Sequence, residues 1–144
     1  MIEKDTIRLL RECDAGAKMG VSSINDVIGH VRTPALKNAL TLSREEHEKL
    51  GKEIRSHLDR FRDSGKDPNP IAQSMSEMTA GIKLAFGSGD KTVADLMTEG
   101  CSMGVKSLNR YLNEYKAADE TSKDLAKRLI QLEEKLSDDV KGFL

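Results

Sequence analysis

Tryptophan is absent from this 144-residue chain, and with three phenylalanines and two tyrosines the aromatics make up only 3% of it. No aromatic platform is therefore available for stacking bases. Lysine and arginine total 23 against 24 aspartates and glutamates, a net charge of −1, so there is no basic excess to grip phosphates either. Both absences argue against nucleic-acid binding. No apolar run approaches the length of a membrane span, and the opening Met-Ile-Glu-Lys-Asp lacks the apolar core of a signal peptide, so the expected setting is cytoplasmic with no membrane contact. Cys13 and Cys101 are spaced for neither a zinc site nor a redox pair and are expected to be reduced, small core residues. A nucleophile elbow, a phosphate-binding glycine loop and a paired-carboxylate motif are all missing, so no catalytic residue is assigned and the chain does not read as an enzyme.

What the sequence does contain is a duplication. Gly16-Ala17-Lys18-Met19-Gly20-Val21-Ser22-Ser23-Ile24-Asn25-Asp26 returns 84 residues later as Gly100-Cys101-Ser102-Met103-Gly104-Val105-Lys106-Ser107-Leu108-Asn109-Arg110, identical at six of eleven positions. Each copy carries glycines four apart, Gly16 with Gly20 and Gly100 with Gly104, on one helix face. A glycine inside a helix costs roughly 1 kcal/mol relative to alanine. Four of them, about 4 kcal/mol, weigh heavily against a total stability of roughly 5 to 15 kcal/mol. The missing side chains must therefore serve packing: close approach of the two repeat helices, or a notch filled by a second subunit or a ligand.

Apolar spacing predicts helix 1 from about Ile2 to Val31, with Ile7, Leu10, Ala17, Val21, Ile24 and Ile28 facing a core and Asp14 as the one acidic member of that face. Thr33-Pro34 reads as an N-cap and first-turn proline opening helix 2, whose stripe includes Leu36, Leu40, Ser43, His47, Leu50 and Ile54. Asp63 to Pro70 breaks the helix, and Asn69-Pro70 opens a short amphipathic helix carrying Ile71, Met75, Met78, Ile82 and Phe86. Helix 3 is expected from about Lys91 to Lys116. Thr121 with Asp124 resembles a capping box for helix 4, which presents Leu125, Leu129, Leu132, Leu136 and Val140. The helix 2 segment from His47 matches the helix 4 segment from Glu133 at an offset of 86.

The expected architecture is all-α: one four-helix bundle domain over residues 1–144, made of hairpin 1 (1–62), a crossover with its short helix (63–90) and hairpin 2 (91–144). Neither hairpin can bury its stripe alone. A short helix of about 16 residues, roughly 24 Å long, can climb back along the bundle. That would leave helices 2 and 3 parallel, the ferritin-like arrangement, with a plain up-down-up-down bundle as the alternative.

Thr33-Pro34-Ala35-Leu36 leading to Ser43-Arg44-Glu45-Glu46-His47-Glu48-Lys49-Leu50 resembles the second helix of rubrerythrin-like proteins, and the whole plan resembles a small bacterial branch of the ferritin-like superfamily. The resemblance implies a four-helix bundle and places His47 on a metal-ligand position, with Glu133 as its counterpart in the second half. Metal-binding members bear a glutamate three residues before that histidine; here it is Arg44, and helix 4 has no histidine. Register from the turn near Thr33 places His47 opposite Met19 and Gly20, with Asp14 about five residues further along, roughly 7 Å.

Asp14, His47 and Glu133 are the polar residues that need an explanation. A hydrogen-bonded polar layer fixing helix register is one reading; a degenerate iron, manganese or zinc site around His47 with Asp14 or Glu133 is another; simple exposure, the face having been misjudged, is the third. His30 and His57 are expected at the surface or its boundary, and Glu99 in solvent. The function expected on this basis is a structural or protein-interaction bundle, a homodimer without cofactor, with a metal-binding redox or storage protein as the alternative.

Overall fold

The computed structural model describes residues 2–68 and 89–144, and the described residues form four α-helices with no strand. We label them α1 (Ile2–Ile28), α2 (Pro34–Asp59), α3 (Asp90–Glu114) and α4 (Glu120–Val140), with a closing 3-10 turn at Lys141–Phe143. The short helix expected from Asn69-Pro70 to Phe86 lies outside the described residues. Thr33 stands at the N-cap of α2 as expected, but the capping bonds differ. Pro34 does stand in the first turn of α2, but the Thr33 side chain does not cap it; its hydroxyl turns instead to the Asp90 carboxylate. The N-cap of α4 is Asp119, which accepts from Ser122 N at 2.7 Å, two residues before the expected Thr121. A carboxylate bonds an exposed helical N–H more strongly than a hydroxyl does, and it sits well against the positive end of the helix dipole.

Hydrogen bonds between the ends of the helices settle their directions. Asp90, at the start of α3, accepts from Arg32 N (2.7 Å) and Thr33 N (3.1 Å), just before α2, so α2 and α3 begin at the same end. At the other end, Ala117 N donates to Asp5 (3.0 Å) and Asp119 N donates to Thr6 Oγ1 (2.8 Å), bringing the start of α4 to the start of α1. Thus α1 and α4 run one way, and α2 and α3 the other. The broadest interfaces are α1–α2 and α3–α4; α1 and α4 also meet across the core.

Because α1 touches all three other helices, its buried face is wider than a single stripe. Leu9, Cys13 and Val27 join Leu10, Ala17 and Ile24 inside, whereas Ile7, Val21 and Ile28 are half-buried. The core divides into two apolar clusters. One is built around Leu9, Leu10, Ile54, Leu58, Leu125 and Leu129, the other around Ile24, Val27, Leu36, Leu40, Val93 and Val140. Each fully buried leucine or isoleucine contributes roughly 1.5 to 3 kcal/mol. His47 and Glu133 fall in sequence between the members of the two clusters on α2 and α4.

Candidate functional site: a polar pair at the foot of an apolar groove

His47 is fully buried, and both of its ring nitrogens are engaged. Nδ1 lies 2.8 Å from the Ser43 carbonyl oxygen one turn earlier, and Nε2 lies 2.8 Å from Glu133 Oε1 on α4. A carbonyl can only accept a hydrogen bond. Nδ1 therefore carries a proton, and the His47–Glu133 contact holds a second one between them. Burial pulls the imidazole pKa down, but the hydrogen bond and charge of Glu133, together with the Ser43 carbonyl, outweigh it and the net displacement is upward. That upward displacement favours the protonated ring, which Glu133 faces.

Glycine makes this pair possible. A Cβ on Gly20 would run into the His47 ring, standing 2.6 Å from Nε2. On the opposite side, a Cβ on Gly104 would come to 3.6 Å from the Glu133 carboxyl, an ordinary contact. Thus α1 offers a glycine to the histidine of α2, and α3 offers a glycine to the glutamate of α4. Gly16 faces Leu129 of α4 at 3.3 Å for an added Cβ, and Gly100 faces nothing within 4 Å among the described residues. The glycines therefore do not chiefly serve backbone contact between α1 and α3. Gly16, Gly20 and Gly104 make room for side chains that come from α2 and α4.

All four glycines line a groove between α1 and α3, with a volume of about 380 Å³. Met19, Met97 and Met103 contribute to its walls, and Leu129, Glu133 and Leu136 of α4 form its foot. Met103 is 71% exposed although it lies on this lining, a large apolar side chain facing solvent. Cys101 also lines the groove; burial first, and then the adjoining Glu133, push its thiol pKa well above the usual value. A thiol so suppressed is a poor nucleophile.

Asp14 has a different neighbourhood. It is fully buried, accepts from Lys66 N at 2.9 Å and pairs with Lys18 at 2.8 Å, with Arg55 at 3.5 Å. Lys18 lies on α1 itself and Arg55 on α2, while Lys66 comes from the loop after α2, where Gly65 has φ of +88° and a Cβ would collide with the Asp14 carboxylate. Asp14 thus fastens residues 65–66 onto α1, while His47 and Glu133 meet each other without it. Among the described residues, no group of three or more His, Cys, Asp or Glu side chains converges on a point where a metal ion could sit. His57 is half-buried, at the boundary of the bundle, and lies 3.1 Å from Asp119; His30 and Glu99 are exposed.

Sequence reasoning missed the groove itself, the Lys66 amide that holds Asp14, and Cys101 beside Glu133. The last had a trace in the repeat, since Cys101 occupies the position of Ala17 in the first copy. No described helix is long and apolar enough to cross a membrane. A family model described as a domain of unknown function (DUF2383) matches residues 5–114, from the first turns of α1 to the end of α3. No curated protein and no solved structure matches the chain.

Proposed function

We propose that this chain, which belongs to the DUF2383 family, is a ferritin-like bundle of two related hairpins over residues 1–144, acting as a structural or protein-interaction module that self-associates as a homodimer and carries no resident metal. The topology supports the ferritin-like part: α2 and α3 start at one end, so a long crossover must join them. Burial supports the duplication. Leu36, Leu40, Ser43, His47, Leu50 and Ile54 on α2 and their counterparts 86 residues later, Ser122, Ala126, Leu129, Glu133, Leu136 and Val140 on α4, are all buried. The pairing of Gly20 with His47 and of Gly104 with Glu133 follows the same relation.

The observation that carries the functional reading is the groove. Walls of glycine and methionine between two helices form a shallow trough that suits the apolar stripe of another helix, and methionine adapts its shape to what it meets. The polar groups at its foot are satisfied by one another, so the groove offers surface and shape before it offers chemistry. A photoreactive diazirine side chain at position 103, activated in the purified full chain, tests this reading. A specific crosslink to a polypeptide segment is expected; quenching by solvent alone, with no peptide adduct, would end it.

A second reading has one observation in its favour. His47 presents Nε2 to a carboxylate while Nδ1 is fixed on a backbone carbonyl, the orientation a metal-ligating histidine needs. Iron, manganese or zinc would have to displace the proton between His47 and Glu133. Titrating each metal into the protein decides it: stoichiometric binding lost in His47→Ala favours this reading, and melting unmoved by all three metals rejects it.

A further inference from the structure

Beyond α2 the chain runs through Asp63-Ser64-Gly65-Lys66-Asp67-Pro68, a stretch with no large apolar side chain and no buried residue. It nonetheless lies along α1, held there by polar contacts. Arg11 stands 3.8 Å from Asp63, Glu12 pairs with the Lys66 ammonium, Asp14 accepts from Lys66 N at 2.9 Å, and Lys18 reaches Asp67 at 3.0 Å. Arg11, Asp14 and Lys18 are spaced three and four apart, on one face of α1. The stretch ends on the groove, where Lys66 and Pro68 join Glu12 of α1 and Tyr111 of α3 in the lining. Burial first, and then the charge and hydrogen bonding of Glu12, raise the Tyr111 hydroxyl pKa. The carboxylate that holds Lys66 therefore also faces α3.

We infer that residues 63–68 are a latch: they lift from α1 while the four helices stay folded, and when closed they restrict the Glu12–Tyr111 end of the groove. A segment fastened by surface ion pairs and hydrogen bonds, with no buried apolar area, belongs to the low end of the range of local stabilities. Its hinges are at hand. The chain turns into the latch through Arg62 at φ +55° and within it through Gly65 at φ +88°. An arginine in the left-handed region stores strain that only contacts further along the chain offset. Asp14, moreover, is satisfied in either position. Lys18 and Arg55 belong to helices and stay beside it, at 2.8 and 3.5 Å, so when the Lys66 amide leaves, water replaces it at a carboxylate whose charge is still paired. The motion stands on these contacts alone, whereas its regulatory meaning rests on the reading of the groove as a helix seat.

Amide hydrogen exchange in the full chain, followed by NMR at low and high salt, tests the motion. The Lys66 amide is expected to exchange more slowly than a free amide, yet on the order of a hundredfold faster than a core amide of α1 such as that of Cys13. In about 1 M NaCl, where the screening length falls to about 3 Å, Lys66 should speed up roughly threefold or more while Cys13 is unchanged. Glu12→Gln, which removes one of the ion pairs, should accelerate Lys66 in the same way at low salt, with circular dichroism checking that the bundle persists. Lys66 exchange at the Cys13 rate, or a Lys66 rate indifferent to both salt and Glu12→Gln, overturns the latch. The diazirine at position 103 tests the restriction of the groove: the yield of its peptide adduct should rise in Glu12→Gln by a factor comparable to the Lys66 acceleration. Equal yields in variant and parent overturn that part even where Lys66 accelerates. No adduct in either protein ends the helix-seat reading, and the exchange rates still decide the latch.

Discussion

Replacing Gly20 by alanine puts the relation between glycine and the buried pair to a quantitative test. The new Cβ would stand 2.6 Å from His47 Nε2, and the ring has nowhere free to go. It is fully buried and bonded on one side to the Ser43 carbonyl and on the other to Glu133. Overpacking of this kind costs about 1 to 3 kcal/mol, and loosening a charge-assisted hydrogen bond costs roughly 1.5 to 3 kcal/mol. Alanine returns about 1 kcal/mol through helix propensity. The net expectation is a loss of about 1.5 to 5 kcal/mol. Urea unfolding followed by far-ultraviolet circular dichroism should show a lower midpoint at unchanged slope. Gly104→Ala supplies the contrast, because its Cβ would meet Glu133 at an ordinary 3.6 Å; it should be neutral or stabilising by up to about 1 kcal/mol. Should Gly20→Ala unfold at the parent's midpoint or above it, the account of that glycine is wrong.

Other perturbations have defined outcomes. Asp14→Asn should destabilise by about 2 kcal/mol, less than the ~3 to 5 kcal/mol of a fully enclosed pair because Lys18 reaches solvent, and proteolysis should then cut first near residues 63–68; equal protease resistance would refute its anchoring role. Burial raises the Asp119 pKa, but the Ser122 amide and side chain and His57 lower it further, so the net displacement is downward. A depressed carboxyl pKa contributes stability that is present above the ordinary value near 4 and is lost as pH falls through the folded one. Parent and Asp119→Asn should therefore converge in melting temperature as the pH drops toward 2, and a constant gap would contradict the assignment. Cys13, pushed up to about 12 by burial and then by Glu12 and Asp14, should resist iodoacetamide in the native protein and react only on unfolding, in step with the circular dichroism signal.

Helix periodicity made the four helices legible, and the turn near Thr33 fixed the register that sets His47 opposite Gly20. The repeat drew attention to Gly16, Gly20, Gly100 and Gly104, but a glycine pair does not report what its missing side chain would meet: among the described residues a Cβ would crowd His47 at Gly20 and Leu129 at Gly16, yet meet nothing at Gly100. Whether a backbone or an imidazole takes the space depends on which helix lies across from it, and sequence does not say. Asp14 illustrates a second limit. Its helical face predicted a buried carboxylate, yet its acceptor role is met by the Lys66 amide, a backbone group that no residue pattern advertises. The caps show a related limit: Thr33 stands at the N-cap of α2 as expected, but a tertiary neighbour, Asp90, takes its hydroxyl, and at α4 the local carboxylate of Asp119 takes the Ser122 amide ahead of Thr121. The groove was not legible because apolar stripes predict which faces turn inward without fixing how far apart two helices settle.

Helices α2 and α4 meet at a proton held between His47 and Glu133. Nitrogen-15 NMR of the His47 ring across pH measures it directly. Because its pKa is raised in the fold, the stability it confers is complete below the ordinary histidine value near 6.5 and is lost as pH rises through the folded one. Both ring nitrogens are expected to remain protonated at pH 7, and the ring to deprotonate only above the ordinary histidine range, with melting temperature falling in step. A single neutral tautomer at pH 7, indifferent to Glu133→Gln, would contradict it.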